Sequence, residues 1–148
     1  MIGMDHGKRS RIVHRKMVMK GYWAKPRELG TILMLIVTEL SKAFDENRAN
    51  KDQKLVDIVM RLYDITGRLK VDLNELPEVE STELIEFLND LTNVLEADRV
   101  DMGDTIKHIN LRNCLARVWK EAEKRNYNLE WALDDKFNMI DEIKKRNY

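Results

Sequence analysis

Residues Gly30 to Leu73 read GTILMLIVTELSKAFDENRANKDQKLVDIVMRLYDITGRLKVDL, and this stretch decides the fold. Its apolar residues fall at helical spacing twice, first at Leu33, Ile36, Val37, Leu40, Ala43 and Phe44, then at Leu55, Ile58, Val59, Leu62, Ile65 and Leu69. Two amphipathic helices follow. Only the polar break Ala49-Asn50-Lys51-Asp52 separates them, so the second helix is expected to fold back antiparallel on the first, with Asp52 as its N-cap. Beside each apolar stripe runs a charged one: Glu39, Lys42 and Glu46 on the first helix, Lys54, Asp57, Arg61 and Asp64 on the second.

The remaining chain repeats this design. Glu39-Leu40-x-x-Ala43-Phe44-Asp45-x-x-Arg48 corresponds to Asp90-Leu91-x-x-Val94-Leu95-Glu96-x-x-Arg99, and Leu55, Arg61, Tyr63 and Leu73 correspond to Leu111, Arg117, Trp119 and Leu129. Matches that keep order and register over two helices predict a second hairpin, residues 82–129, after a linker containing Pro77. Chance similarity between amphipathic helices is the competing account. Ser81 or Thr82 is expected to cap the third helix, Asp104 the fourth, and Asn128 a last helix over residues 129–146. Sparse Gly and Pro and the lack of strand alternation make the domain all-α: two similar antiparallel hairpins plus a C-terminal helix, forming one helical bundle. Residues 1–20, with the run Lys8-Arg9-Ser10-Arg11, form a basic arm or a short helix ahead of the main domain at 21–148; the arm either is solvated or faces phosphate.

Composition sets the limits on function. At 148 residues the chain is about one domain with room for a core. Its 26 basic and 26 acidic residues balance, so no global field steers it to nucleic acid or an anionic membrane, and binding has to be local. The apolar run from Ile32 to Val37 is too short to span a bilayer, and the N-terminus carries charges where a signal peptide needs apolar residues. A soluble, cytoplasmic protein is expected. A lone cysteine, Cys114, suits a reducing compartment and reads as a buried small hydrophobe. His6, His14 and His108 lack ligand spacing for zinc, and there is neither a glycine-rich phosphate loop nor a Ser-His-acid set.

The charged stripes of the first hairpin resemble those of the MazG-like, all-α nucleoside triphosphate pyrophosphohydrolases. That family carries Glu-x-x-Glu on its first core helix and Glu-x-x-Asp on its second, four carboxylates that hold magnesium. The matching positions here read Glu39-Leu40-Ser41-Lys42 and Lys54-Leu55-Val56-Asp57, so two acids survive and two have become lysine. Further likeness lies in Leu40, Ser41 and Ala43, in Arg61, Asp64 and the Lys70-Val71-Asp72-Leu73 ending, and in Lys20-Gly21-Tyr22-Trp23 before Pro26-Arg27, where a helix should begin. The C-terminal Trp131-Ala132-Leu133-Asp134-Asp135-Lys136-Phe137 is similar to the family's last helix, whose lysine lies near the nucleotide; Lys136 matches it.

What the resemblance implies is a nucleotide site built from Trp23, Glu39, Lys42, Lys54, Asp57, Arg61 and Lys136, with Glu39 and Asp57 the surviving metal ligands and Trp23 either stacking on a base or packing on the bundle. Hairpins of this family usually pair between subunits, whereas the duplication would let one chain supply both, so a homo-oligomer stays open. Replacing two acids by two lysines takes the local charge from about −4 to about 0, which removes most of the attraction for a divalent cation. Glu46 and Asp64, one further pair of turns along, could offer substitute oxygens, so a shifted metal site stays open. The second hairpin places Asp90, Asn93, Asn110 and Asn113 at the four positions, a poor magnesium set. Three functions stay open. The protein binds or sequesters a nucleotide or nucleotide-derived signal with impaired catalysis and no cofactor, or it is an active magnesium-dependent pyrophosphohydrolase, or it is a helical interaction protein in which Lys42 and Lys54 merely pair with Glu39, Glu46 and Asp57.

Overall fold

The computed structural model describes residues 5–101 and 103–146, with side chains through Asn138. The described residues form six helices and no strand: α1 (His6–Met19), α2 (Leu29–Ala43), α3 (Lys54–Arg68), α4 (Leu84–Arg99), α5 (Asp104–Lys124) and α6 (Leu129–Arg146). None is long and apolar enough to cross a membrane.

The bundle is built from two hairpins, α2–α3 and α4–α5, laid against each other through α2 on α4 and α3 on α5. Successive contacts from Asp98 to Lys107, Asn93 to Asn110 and Asp90 to Arg117 show α5 running back along α4. Burial repeats with the sequence register. Leu55, Ile58, Val59 and Leu62 are fully buried, and so are their counterparts Leu111, Cys114, Leu115 and Val118. Burial also pushes the Cys114 thiol far above its usual range, as a core hydrophobe requires. The second helices even end alike. Lys70 and Asn126 adopt left-handed φ of 56° and 54°, and the next residues, Val71 and Tyr127, donate back to Thr66 and Ala122 in Schellman closures that aim Leu73 and Leu129 into the core.

Several ends differ from the sequence reading. α2 begins at Leu29, two residues beyond Arg27, because Glu28 takes the extended N-cap conformation. Asp52 does not cap α3: its carboxylate accepts from Arg125 Nη1 at 3.0 Å, and Gln53 occupies the cap position. Arg125 also donates to Glu121 and to the carbonyl of Ala43 and lies over the Phe44 ring, joining the end of the second hairpin to the turn of the first. Thr82 spends its hydroxyl on Glu121, while Ser81 Oγ accepts from the Glu83 N–H. Gly103 precedes α5 with Asp104 already helical, whereas Asn128 does cap α6, accepting from the Trp131 N–H at 3.0 Å.

The basic segment is a 14-residue helix rather than an arm, and it belongs to the bundle. α1 docks on α3 through polar contacts: Ser10 Oγ meets the Tyr63 carbonyl and the Thr66 hydroxyl, and His14 Nδ1 meets Asp64 at 2.8 Å. Gly67 makes the approach feasible, since a Cβ there would lie 2.7 Å from His14 Cβ and 2.8 Å from the Ser10 carbonyl. His6 sits over the corresponding residues of both hairpins, sharing a hydrogen bond with the Tyr63 hydroxyl and meeting Trp119 edge-on. Burial, reinforced by Arg9 and opposed by Asp5, lowers its pKa to about 4, so it is neutral at pH 7.

Candidate functional site

Facing flanks of α2 and α3, joined by Lys136 of α6, bring six of the seven expected residues together. Glu39 is 8% exposed, and Lys42 Nζ, Lys54 Nζ and Arg61 Nη2 each stand 4.0 Å from its carboxylate. That separation is an ion pair but too long for a hydrogen bond. Glu39 Oε2 is fully enclosed and has no hydrogen-bond partner. Asp57, one turn into α3, is gripped from two sides, by Lys54 at 3.2 Å and by Lys136 of α6 at 2.9 Å. Burial works to raise the Asp57 pKa, but the two ammonium groups outweigh it and hold the carboxyl below its ordinary value.

Trp23 does not join this cluster. Its indole N–H donates to Asp64 Oδ1 at 3.0 Å, the Arg68 guanidinium lies 4.7 Å from its ring centre, and His14 meets it edge-on. Glu46 lies beyond the end of α2, exposed and paired with Lys51. Asp64 is near the cluster, yet its Oδ1 is shared between His14 and Trp23.

Two clefts adjoin the cluster. One, of 380 Å³, lies between α1, α2, α3 and α6 and is lined by Met17, Tyr22, Glu39, Asp57, Arg61 and Lys136, among others. The other, of 490 Å³, lies between the α3 entry loop and α6. Asp57 and Lys136 line both and form the wall between them. A larger cleft, 1070 Å³, is elsewhere, under the 74–80 linker, with Glu78, Glu80, Glu123 and Glu130 at its edge. That acidic lining opposes an anionic ligand.

Magnesium does not fit the cluster. Glu39 faces three cations within 4.0 Å and Asp57 is bonded to two, so a divalent ion would have to displace ammonium groups fixed to the same helices. Among the described residues no group of three His, Cys, Asp or Glu side chains could hold a metal ion. Lys42, Lys54, Arg61 and Lys136 outnumber Glu39 and Asp57, with Asp64 nearby as a third carboxylate.

The sequence reading missed His14 as the partner of Asp64, and Tyr22 as a cleft wall under the Arg27 guanidinium, 3.6 Å from its ring centre. A signal existed. His6, Ser10, Val13, His14 and Met17 lie along one helical face, a stripe obscured by its polarity. No family model matches the chain, and neither curated proteins nor solved structures give a match.

Proposed function

We propose that the protein binds an anionic nucleotide, or a nucleotide-derived signal, without hydrolysing it, on a MazG-like scaffold in which lysines stand where metal ligands would be. The carrying observation is the state of Glu39: buried, ringed by Lys42, Lys54 and Arg61 at 4.0 Å, and hydrogen-bonded to none of them. Among the described residues Lys42 and Arg61 donate no side-chain hydrogen bond at all, so their donors are unspent. A phosphate oxygen brought among them gains charge-assisted hydrogen bonds that Glu39 is too far away to accept. Asp57 meanwhile keeps Lys54 and Lys136 extended toward the same place in the free protein, which lowers the entropic cost of binding. Ammonium groups neutralise phosphate as magnesium would, but they generate no hydroxide, so binding without turnover follows.

The test is calorimetry with nucleoside triphosphates in the presence of a chelator, followed by recovery of the ligand. Expected are binding that weakens with salt, intact ligand, and a loss of about tenfold or more in the Lys42→Ala, Lys54→Ala double variant. Unchanged affinity in that variant, or magnesium-dependent release of pyrophosphate that disappears in Glu39→Gln, would overturn the reading.

A further inference from the structure

The chain has three tryptophans, and two are occupied: Trp23 by Arg68, His14 and Asp64, and Trp119 by His6. Trp131 is 65% exposed and meets no ring or cation among the described residues. Its backbone is nevertheless held in place, because the Trp131 main-chain N–H donates to the α6 cap Asn128 and the residue lies two positions from fully buried Leu133. Such a large apolar face, anchored at its backbone and bare, borders the 490 Å³ cleft beside Tyr127, whose backbone is set by the closure of α5. A cleft of this size falls within the usual range for small-molecule sites, about 300–1,000 Å³.

The opposite wall is polar. Asn50 and Gln53, in the loop entering α3, are exposed, and their side-chain amides take no partner among the described residues. An amide presents a donor and an acceptor side by side, the pattern that matches N6 and N7 of adenine. Asp135, one turn after Trp131 on the same helix, adds an exposed carboxylate able to accept from ribose hydroxyls. At the inner end stand Lys54 and Lys136, joined to Asp57, which is the wall shared with the Glu39 cleft.

We infer that Trp131 and Tyr127 form the platform for the base of an adenine nucleotide, read at its edge by Asn50 and Gln53, with its phosphates directed over Lys54 and Lys136 toward Glu39 and Arg61. This rests on the phosphate-binding reading above and adds the base site, transferring the stacking role from Trp23 to Trp131.

Calorimetry and tryptophan fluorescence of the full chain, with chelator, test it using three probes: ATP, inorganic triphosphate and adenosine. ATP is expected to bind about tenfold or more tighter than inorganic triphosphate, the gain of a stacked base. Trp131→Ala should erase that preference while leaving triphosphate affinity unchanged, and Trp131→Phe, which keeps a ring, should retain most of it. Equal binding of ATP and triphosphate by the wild type, or a preference that survives Trp131→Ala, overturns the base site even though the phosphate site stands. If neither phosphate-bearing probe binds, the phosphate reading has failed and adenosine decides alone: quenching that disappears in Trp131→Ala upholds the platform, and no quenching overturns it.

Discussion

Glu39 and Asp90 occupy corresponding places in the two hairpins, and both are buried, at 8% and 4% exposure. Their surroundings differ. Asp90 accepts from Arg117 Nε at 2.8 Å, and Arg117 turns its other arm to the Ser81 carbonyl at 2.7 Å. At the next pair of positions Asn93 donates to Asn110 at 3.1 Å. In the first hairpin the equivalent arginine, Arg61, stops 4.0 Å from Glu39, and the amide pair is replaced by Lys42 and Lys54. Two amides can satisfy one another; two ammonium groups only repel. One set of positions therefore closes into an internal polar network, while in the other Lys42 and Arg61 keep their donors unspent, Lys54 turns to Asp57, and Glu39 and Arg61 face a cleft. A repeated scaffold is closed on one side and left open on the other.

The largest effect should come from opening the closed side. Arg117→Ala leaves Asp90 buried without its partner, and breaking such a pair costs about 3–5 kcal/mol. Urea denaturation measures this, and a cost below about 1 kcal/mol would show that Arg117 does not close the second hairpin. Next comes conversion of the open side to the closed pattern. Lys42→Asn with Lys54→Asn copies Asn93 and Asn110, and should reduce triphosphate affinity by about tenfold or more while stability moves by less than about 1 kcal/mol. Retained affinity would remove the contrast. Glu39→Gln should be milder still, within about 1 kcal/mol in the same denaturation experiment, because the cations around Glu39 are partly solvated and not hydrogen-bonded to it. A loss like that of Arg117→Ala would mean the two acids are equivalent after all.

The smallest expected effect is one of pH. Asp57 is held below its ordinary value of 3.8, so its contribution to stability is present above that pH and fades as pH falls through its lower native value. Asp90 behaves oppositely. Burial outweighs Arg117 and raises its pKa, so between 3.8 and its native value the folded protein binds a proton that the unfolded chain does not, and acidification there favours folding. Carbon-13 titration of the two carboxyls should find them on opposite sides of 3.8; the reverse order would contradict the assigned surroundings.

Much of the fold was legible because apolar periodicity is local. Leu55, Ile58, Val59 and Leu62 announce the buried face of α3, and the same register finds that of α5. Features set by distant partners were not legible. Asp52 has the right chemistry for a cap, but Arg125, 73 residues away, takes its carboxylate. The segment of α1 read equally as an arm or a short helix because it docks through Ser10, His6 and His14 and buries only Val13 among its apolar residues. In the candidate site, the i, i+3 spacing of Glu39 with Lys42 and Lys54 with Asp57 was readable, whereas the placement of Trp23 away from the cluster depends on Arg68 and Asp64, which hold its ring.

The placement of α1 also bears on how the chain reaches this structure. It is synthesised ahead of every surface it rests on: Tyr63 lies 57 residues after His6, and Asp134 lies 125 residues after its partner Arg9. Each hairpin can assemble from near neighbours as it emerges, but α1 has to wait, and closing such long loops is the slow part of folding a helical protein. Its docking is thus a late, nonlocal step that ratifies hairpins already formed, and a helix made before both hairpins is among the last to find its place.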